Sequence, residues 1–341
     1  MTDIRDVAKM AGVSVSTVSY AFSGKRPISA TTYQRIMDAV KKLGYTPNAG
    51  ARMLRAEHKH IVAISAPLRL GQNRTAYADY FIEFARQEHL RGYDSLLLTA
   101  ENGVEDIRRV TLGNLADGVV LMDIVNDDIR AAQASTYKRP CVAIGLPRCH
   151  ENCACIDLDF EKMGRIAIEN MVQAGRRRLI FLKGPDQDYR RRSGYRLILL
   201  ASLRKWAAQY NAEFHEISNG VANQTQYANR VLKAMGTHKA NGLISEIRPV
   251  VLDAVLGRIA ESGLSIPDDV AVMSCAADTP SETLKALHIS EMPLTPDTLC
   301  VAASDMLTKA IEGNQDVAGQ VKLQDPLLIH RQSVPTIERA Q

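Results

Sequence analysis

A group of small, polar and aromatic side chains near the start of the chain is the first candidate for a binding surface. Ala8, Gly12 and Val18 are spaced as two short helices around a tight turn require, with a small residue at the crossing, a glycine for positive φ and a β-branched residue in the core. The second helix then directs four side chains outward: Val15, Ser16, Ser19 and Tyr20. Helix-turn-helix units present such side chains to the major groove, so the spacing predicts a DNA-reading unit.

Three helices are expected to hold this unit together. Ser14 is placed to cap a helix over 15–22, in which Val18 and Phe22 face inward. A third helix is expected over 31–43, where four apolar residues share one face: Ile36, Met37, Val40 and Leu43. Together the three helices would close a small core.

Positive charge is concentrated in the same segment. Residues 1–60 contain ten lysines and arginines against four acids, a net charge of +6, whereas the whole chain carries +4. The remainder is therefore slightly acidic, at −2. This distribution is typical of a headpiece that faces phosphates and a body that does not. A purely structural three-helix unit is the alternative.

Ordered motifs recur along the whole chain. In the first 55 residues they are IRDVA at 4–8, GVSVSTVS at 12–19, LGYTPN at 43–48 and ARMLR at 51–55. In the remainder they are RRSGY at 191–195, GLSIPDDV at 263–270 and HRQSV at 330–334. Together they resemble the lactose-repressor (LacI/GalR) family of bacterial transcriptional regulators.

The resemblance implies a multidomain fold. It consists of an all-α helix-turn-helix headpiece, a hinge helix and an α/β periplasmic-binding-protein-like body, in which three crossing strands join two doubly wound parallel-sheet lobes around an effector cleft. The expected boundaries are 1–47 for the headpiece, 48–58 for the hinge and linker, 59–341 for the body, about 59–157 and 289–318 for lobe 1, and about 158–288 and 319–335 for lobe 2.

The pattern of the body independently predicts parallel sheets. Apolar strands are expected over 61–65, 95–99, 118–122, 141–145, 179–182, 243–245 and 270–274. Helices are expected between them, for example over 77–91, 162–174, 196–209 and 250–262. Such alternation indicates right-handed crossovers with helices on both faces of each sheet.

The hinge is expected to order only on DNA. Asn48 is a good N-cap, but 49–55 forms about two turns, which are unstable alone, and Gly50 costs about 1 kcal/mol relative to alanine. By the resemblance, the hinge helix enters the minor groove and Leu54 wedges apart the central base step. The alternative is that Leu54 is a buried linker residue.

The resemblance also assigns the DNA contacts. Base contacts fall on Val15, Ser16 and Tyr20. Contacts with phosphates or flanking bases fall on Thr17, Ser19, Lys25, Arg26, Arg35 and Asn48, and the hinge adds Ala51, Leu54 and Arg55. Many relatives have arginine in place of Tyr20, and tyrosine cannot make the bidentate contact of arginine with guanine. Tyr20 therefore either reads a base or contacts the DNA backbone.

An effector is expected in the cleft. By the resemblance Arg191 binds it and Asp159 lines the site. Further candidates are Arg74, Tyr77, Arg248 and Asp278, while Tyr77 and Tyr80 could equally be core residues. The chain has Arg248-Pro249 and Ser274-Cys-Ala-Ala277 where relatives often carry Asn-Asp and Gly-Phe-Asp-Asp. A sugar is the family's usual ligand, but an anionic metabolite fits the arginines better, and a cleft without a small ligand is the third possibility.

Composition fits a globular protein of two or three domains. The 341 residues are 46% hydrophobic and 23% charged, with no export signal and no run of eighteen apolar residues, so we expect a cytoplasmic protein that does not contact membranes. Its six cysteines are expected to be reduced. Cys149, Cys153, Cys155 and His150 lie within seven residues, which suggests a metal site, but the spacing fits no known finger and we expect no metal or cofactor.

Three classes of function compete. The first is a DNA-binding transcriptional regulator, in the form of a repressor that binds a near-palindromic operator as a homodimer under the control of a small effector. The second is a solute-binding protein for transport, which the basic headpiece and the missing signal peptide disfavour. The third is an enzyme, but the sequence contains none of the usual nucleotide-binding, nucleophile-elbow or metalloprotease motifs.

The wedge role of Leu54 gives the first testable prediction. Leu54→Ala should weaken binding to a specific operator, while salt-sensitive binding to random duplex persists, because only the deformed site benefits from the inserted side chain. Titrations of both duplexes at two salt concentrations would measure this. An equal loss on both duplexes would contradict the wedge.

Overall fold

The structure of the protein is a computed structural model. The structure describes residues 3–23, 26–45, 58–69, 74–219, 223–277, 281–313 and 315–335. The chain divides into two compact units, Met1–Lys59 and His60–Gln341. The predicted boundary between headpiece and hinge, at 47 and 48, lies outside the described residues.

The described residues of the first unit form a headpiece of three helices. Its helices are α1 (Ile4–Ala11), α2 (Val15–Ser23) and α3 (Ala30–Leu43). Asp3 caps α1 in a capping box, and Gly12 ends it at φ 65°, a left-handed conformation that glycine adopts without strain. Val7, Val18 and Ile36 form the fully buried centre, and Phe22 packs half-buried against it. The helices expected over 15–22 and 31–43 are thus confirmed.

The second unit contains two parallel sheets. The strands are β1 (Ile61–Ser65), β2 (Asp94–Leu98), β3 (Gly118–Leu121), β4 (Cys141–Ile144), β5 (Ala154–Leu158), β6 (Arg178–Leu182), β7 (Glu213–Ile217), β8 (Gly242–Ser245), β9 (Ala271–Cys275), β10 (Ser290–Met292) and β11 (Val321–Gln324). One sheet has the order β11-β5-β4-β3-β1-β2 and the other β10-β9-β8-β6-β7. Central strands such as β4 and β8 are buried at every residue, as strands covered by helices on both faces must be.

Helices cover both sheets. They are α4 (Arg74–Leu90), α5 (Val104–Leu112), α6 (Ile129–Ala132), α7 (Phe160–Gln173), α8 (Asp186–Arg190), α9 (Gly194–Gln209), α10 (Gln224–His238), α11 (Pro249–Glu261), α12 (Glu282–Ala286) and α13 (Pro296–Ile311). The sequence predicted α4, α7, α9 and α11 with ends within three residues of those observed. In the ranges that the structure describes, no helix is both long and apolar enough to cross a membrane.

Two lobe boundaries differ from the expectation. β10 was expected in lobe 1, but it pairs with β9 in the second sheet. β11 was expected in lobe 2, but it pairs with β5 in the first sheet, where the Asp159 amide also donates to Gln324 O at 2.8 Å. The chain therefore crosses between the lobes after β5, after β10 and after β11. Both strands lie at sheet edges, where short segments give little sequence signal.

A buried carboxylate in lobe 1 gives the second prediction. Burial raises the pKa of Glu88 on α4 to about 7, and Ser304 and Arg91 offset only part of this. The unfolded chain ionises this group near pH 4.5, so its contribution to stability is present below that pH and is lost as the pH rises toward 7. Glu88→Gln should therefore match the native chain near pH 4 and exceed its free energy of unfolding by roughly 1–3 kcal/mol at pH 8.

Denaturant titrations at the two pH values would measure this difference. Glu83→Gln is the matched control on α4, because the hydrogen bond with Arg86 lowers the pKa of Glu83, and its loss should not stabilise the chain at pH 8. A Glu88→Gln protein no more stable than the native one at pH 8 would show that the native carboxylate is not destabilising.

Candidate functional site

The headpiece presents one face of α2 to its surroundings. The Ser14 hydroxyl accepts a hydrogen bond from the Thr17 amide at 3.1 Å, which fixes the start of the helix. Burial of Val18 then sets the rotation of the helix about its axis. The predicted outward side chains are accordingly not buried: Val15 and Ser16 are exposed, and Ser19 and Tyr20 are half-buried. The geometry suits the entry of α2 into a DNA groove.

Two predicted phosphate contacts are also accessible. Arg26 lies with its guanidinium carbon 5.8 Å from the centre of the Tyr20 ring, and both Arg26 and Arg35 are exposed. Within 3–23 and 26–45, no arginine or lysine is ion-paired with another described residue. Cations left without an internal carboxylate are available to phosphates. Five predicted contacts lie outside the described residues, and their roles stay predictions: Lys25, Asn48, Ala51, Leu54 and Arg55.

A cavity of about 320 Å³ opens in the second unit, between its two sheets. Its walls follow the carboxyl ends of the strands, with 122–124 after β3, 145–146 after β4, 246–248 after β8 and 276–277 after β9. Ligands of open α/β sheets bind at this edge, outside the carboxyl ends of the strands. The charged lining residues among those described are Asp123, Asp157, Asp188, Arg191, Arg196, Glu246 and Arg248.

Arg191 joins the two lobes across this cavity. Its Nη1 lies 2.6 Å from Asp123 Oδ1, which belongs to the other lobe, and its Nε lies 3.1 Å from Asp188 Oδ1 in its own lobe. Asp123 also accepts from Tyr77 and pairs with Arg69. Burial and the charge of Asp123 raise the pKa of Tyr77, so its hydroxyl keeps the proton that it donates. The guanidinium therefore acts as a bridge between lobes.

A second arginine, Arg196, pairs with two carboxylates of lobe 2 beside the cavity. Arg196 Nε lies 3.2 Å from Asp188 Oδ2, and its Nη1 lies 2.9 Å from Glu246 Oε2, whose side chain is fully buried. Glu246 also accepts from the Gly184 amide at 2.7 Å. A β-carbon at Gly184 would lie 2.2 Å from Arg196 Nη1, so only glycine leaves room for the guanidinium. Each buried charge here has an opposite charge beside it.

Asp157 differs from the other carboxylates of the cavity. It lies on β5 and is only 6% exposed. Its Oδ1 accepts from the Leu158 amide at 2.9 Å, but its buried Oδ2 has no hydrogen-bond partner among the described residues. Burial raises the pKa of Asp157 to about 7, and backbone hydrogen bonds from Leu158 and Leu146 counteract this only in part. This carboxylate lacks the ion pair that the others have.

Aromatic side chains complete the walls. Tyr77 and Tyr80 come from α4, and Phe160 and Tyr195 come from the starts of α7 and α9. The rings of Phe160 and Tyr195 are 5.1 Å apart and tilted by 35°. The faces of such rings suit the flat side of a ligand ring or a cation.

The structure brings together some of the predicted effector residues. Tyr77, Arg191 and Arg248 line the cavity, as does Tyr80. Asp159 lies outside this lining, because β5 ends one residue before it and its carboxylate caps α7 by accepting from the Lys162 amide at 2.8 Å. The side chain of Arg74, at the first residue of α4, and all of Asp278 lie outside what the structure describes.

Five charged residues of the cavity were missed by sequence reasoning. They are Asp123, Asp157, Asp188, Arg196 and Glu246. A signal was present, because each lies at or just after the end of an apolar strand or on one of the two helices that flank Arg191. Residues 157 and 159 would share a face of a longer strand, but β5 ends at Leu158, so Asp157 lines the cavity and Asp159 caps α7.

The cysteine-rich segment contains no evident metal site. Cys153 and Cys155 are buried, Cys149 is exposed, and the ring of His150 contacts the carbonyl of Pro147 at 2.9 Å. Among the residues described, no three histidine, cysteine or acidic side chains are grouped as metal ligands. A side-chain hydrogen bond with Cys153, together with burial, holds the pKa of Cys155 far above its usual range, so this thiol stays protonated.

Comparison with known families connects the two units. The model of bacterial regulatory proteins of the lacI family matches residues 3–48, and the model of a periplasmic binding protein-like domain matches residues 168–334. The chain belongs to the lacI family of bacterial regulatory proteins. It is therefore a DNA-binding transcriptional regulator.

Relatives in the lacI family extend over most of the chain. The HTH-type transcriptional regulator CelR of Thermobifida fusca is 28% identical over 295 residues, which are 81% of this chain and 82% of that protein. The HTH-type transcriptional repressor PurR of Histophilus somni is 25% identical over 99% of this chain and 100% of that protein. The similarity thus includes both the headpiece and the body.

Solved structures of the lacI family share the fold. A lac repressor dimer bound to operator and the anti-inducer ONPF has a TM-score of 0.79 at 18% identity, over 97% of this chain and 98% of that one. A complex of the transcriptional regulator CelR with cellobiose has a TM-score of 0.64 at 20% identity, over 98% and 100%. The predicted architecture, with its helix-turn-helix headpiece and two parallel-sheet lobes, is confirmed.

The buried charges of lobe 2 give the third prediction. Arg196→Ala leaves the buried Glu246 without its ion-pair partner and Asp188 with Arg191 alone, and it should lower the free energy of unfolding by about 3–5 kcal/mol. Trp206, the single tryptophan, lies on the same helix and reports unfolding by fluorescence in a urea titration. Arg204→Ala is the matched control, because Arg204 pairs with Glu216 on the exposed surface and should cost about 1 kcal/mol or less. Equal losses in both variants would contradict a dominant role for the buried pair.

Proposed function

We propose that this regulator is a repressor that binds a near-palindromic operator as a homodimer, and that a small molecule in the cavity between the lobes controls its affinity for DNA. The observation that carries the proposal is the outward face of α2, which lies on a three-helix core and beside exposed, unpaired cations. Placed in a major groove, α2 would offer Val15, Ser16 and Tyr20 to base edges. Arg26 and Arg35 would contact phosphates.

Exposed apolar side chains of lobe 1 support the proposed dimer. Ile82 and Leu90 lie on α4 and are 68% and 66% exposed. Large apolar side chains exposed on one helix are often covered by a partner. A second copy related by a two-fold axis would cover the same patch on both chains, which matches a palindromic operator.

The cavity supports control by a ligand. The two lobes contact each other at its edge through the Asp123–Arg191 pair and through backbone hydrogen bonds, from the Asn126 amide to Arg192 O at 2.8 Å and from the Gly194 amide to Ile124 O at 3.1 Å. A ligand that contacts both lobes would favour one of their relative orientations. The hinge over 48–58, predicted to order only on DNA, would then transmit this preference to the headpiece. The relatives CelR and lac repressor are described with cellobiose and with ONPF, and a sugar-class effector is proposed here on that similarity.

We propose no catalytic step for the chain, and we propose that it acts on the chromosome in the cytoplasm. Neither the cavity nor the headpiece has to make or break a covalent bond. Binding of DNA and of the small molecule at two separate sites is enough for control, because each ligand changes the affinity for the other by the same factor.

Base reading by α2 gives the fourth prediction. Operator duplexes would first be selected from a random library with the full chain. Tyr20→Ala should then lower the affinity for the selected duplex roughly tenfold and the affinity for random duplex less than threefold, because a base contact is worth about 1–3 kcal/mol only on the right sequence. Fluorescence anisotropy at fixed salt would measure both.

Gln34→Ala is the control for this experiment, since Gln34 is an exposed, uncharged residue on α3 of the same headpiece. It should bind both duplexes as the native chain does. An equal loss of both affinities in Tyr20→Ala would assign Tyr20 to the DNA backbone, and no loss in either would contradict its place in the DNA interface.

A further inference from the structure

We propose that the ligand of the cavity is an amino sugar, whose protonated amine pairs with Asp157, and that Asp123 already occupies the place that an anionic ligand would take on Arg191. This inference rests on the proposed function, because it names the ligand class of the same cavity. Its steps are the occupancy of the two buried arginines, the isolation of Asp157 and the shape of the walls.

Arg191 has an acceptor at each of its three nitrogens. Nη1 faces Asp123 at 2.6 Å, Nε faces Asp188 at 3.1 Å, and Nη2 faces the Tyr77 hydroxyl at 3.3 Å. An arginine binds a carboxylate or phosphate through a free edge of its planar fork. Because the edges of Arg191 are filled by the protein's own side chains, an anion would first have to displace Asp123.

Carboxylates also outnumber the arginines. Arg196 pairs with Asp188 and Glu246, and Arg69 joins Arg191 on Asp123. Arg69 also pairs with Glu101 at 3.6 Å, so three guanidinium groups face four carboxylates, and no positive charge is left over in this network. The remaining basic residue of the described lining, Arg248, is exposed, so water screens its charge.

Asp157 is the buried charged residue of the lining that has no ion-pair partner among the described residues. It lines the cavity, is almost fully buried, lies within ion-pair distance of no described lysine or arginine, and has one oxygen without a hydrogen-bond partner in the described part of the chain. An isolated buried carboxylate is costly unless a cation or a proton compensates it, in agreement with the raised pKa of this group. A ligand ammonium would supply that charge from the cavity side.

The walls indicate the rest of the ligand. Tyr77, Tyr80, Phe160 and Tyr195 provide aromatic faces, which attract cations and pack against the flat side of a sugar ring. The volume of about 320 Å³ is at the small end of ligand pockets and suits a single ring. A hexosamine unites these properties, with one ring, one ammonium group and several hydroxyls.

The test is a thermal-shift measurement on the full chain without DNA. Three matched pairs are compared at equal concentration, pH and ionic strength: glucosamine with glucose, galactosamine with galactose, and mannosamine with mannose. We expect at least one amine to raise the melting temperature by about 2–4 °C, as a ligand near ten times its Kd would, while its neutral partner does so by less than half as much. Glucose 6-phosphate and inorganic phosphate are expected to give no shift.

Two variants assign the effect to Asp157. Asp157→Asn should abolish the preference for the amine, and its melting temperature without ligand reports that it folds. Asp159→Asn is the matched control two residues away, because asparagine caps a helix as well as aspartate and Asp159 lies outside the lining, so the preference should persist. Asp123→Asn should gain a response to inorganic phosphate, since it frees one edge of Arg191.

The proposal is overturned if none of the three amines is preferred to its neutral partner, if the preference survives in Asp157→Asn, or if the native chain responds to phosphate more strongly than to the amines. Operator affinity, measured on the same preparations, separates this outcome from failure of the proposed function. Loss of the amine preference together with intact operator binding would overturn the ligand class alone.

Discussion

The body of the protein depends on a chain of alternating buried charges that runs from one lobe to the other. Asp123, Arg191, Asp188, Arg196 and Glu246 follow one another at ion-pair distances, and the link between the first two joins the lobes. A buried charge is stable only beside an opposite charge. Moving one member of the chain would therefore leave its neighbours buried and unpaired, at a cost in free energy. The Asp123–Arg191 pair therefore helps to fix the separation of the lobes, together with the crossing segments.

This arrangement bears on the proposed control by a ligand in the cavity. A pair such as Asp123–Arg191 is either made or broken, because half-separated buried charges gain neither each other nor water. The lobes would accordingly have discrete relative positions, and a ligand would shift the population between two such positions by the ratio of its affinities for them. The hinge, 48–58, would respond to such a shift between lobe positions, because its helix is predicted to be only marginally stable.

The sequence predicted the elements well and the site incompletely. Strands such as β1 and helices such as α11 have strong periodic signals in the sequence. β10 and β11 are only three and four residues long and lie at sheet edges, and the sequence prediction assigned each of them to the wrong lobe. Family resemblance assigned Asp159 to the cleft, but β5 ends at Leu158, so Asp159 caps α7 and Asp157 on the strand lines the cavity instead. Family resemblance identified Arg191, but its partner Asp123 is 68 residues away, and only the fold brings the two together.

The same residue type has opposite meanings in the two units. Arg26 and Arg35 of the headpiece are exposed and unpaired, so their charge is available to phosphates. Arg191 and Arg196 are neutralised by carboxylates within the lobes, so a count of arginines near the cavity overstates its attraction for anions. Charge available to a ligand is what remains after internal pairing, and in the described cavity that remainder is chiefly the buried carboxylate of Asp157. An anionic effector, which the composition favoured, is thus disfavoured once the partners of each arginine are known.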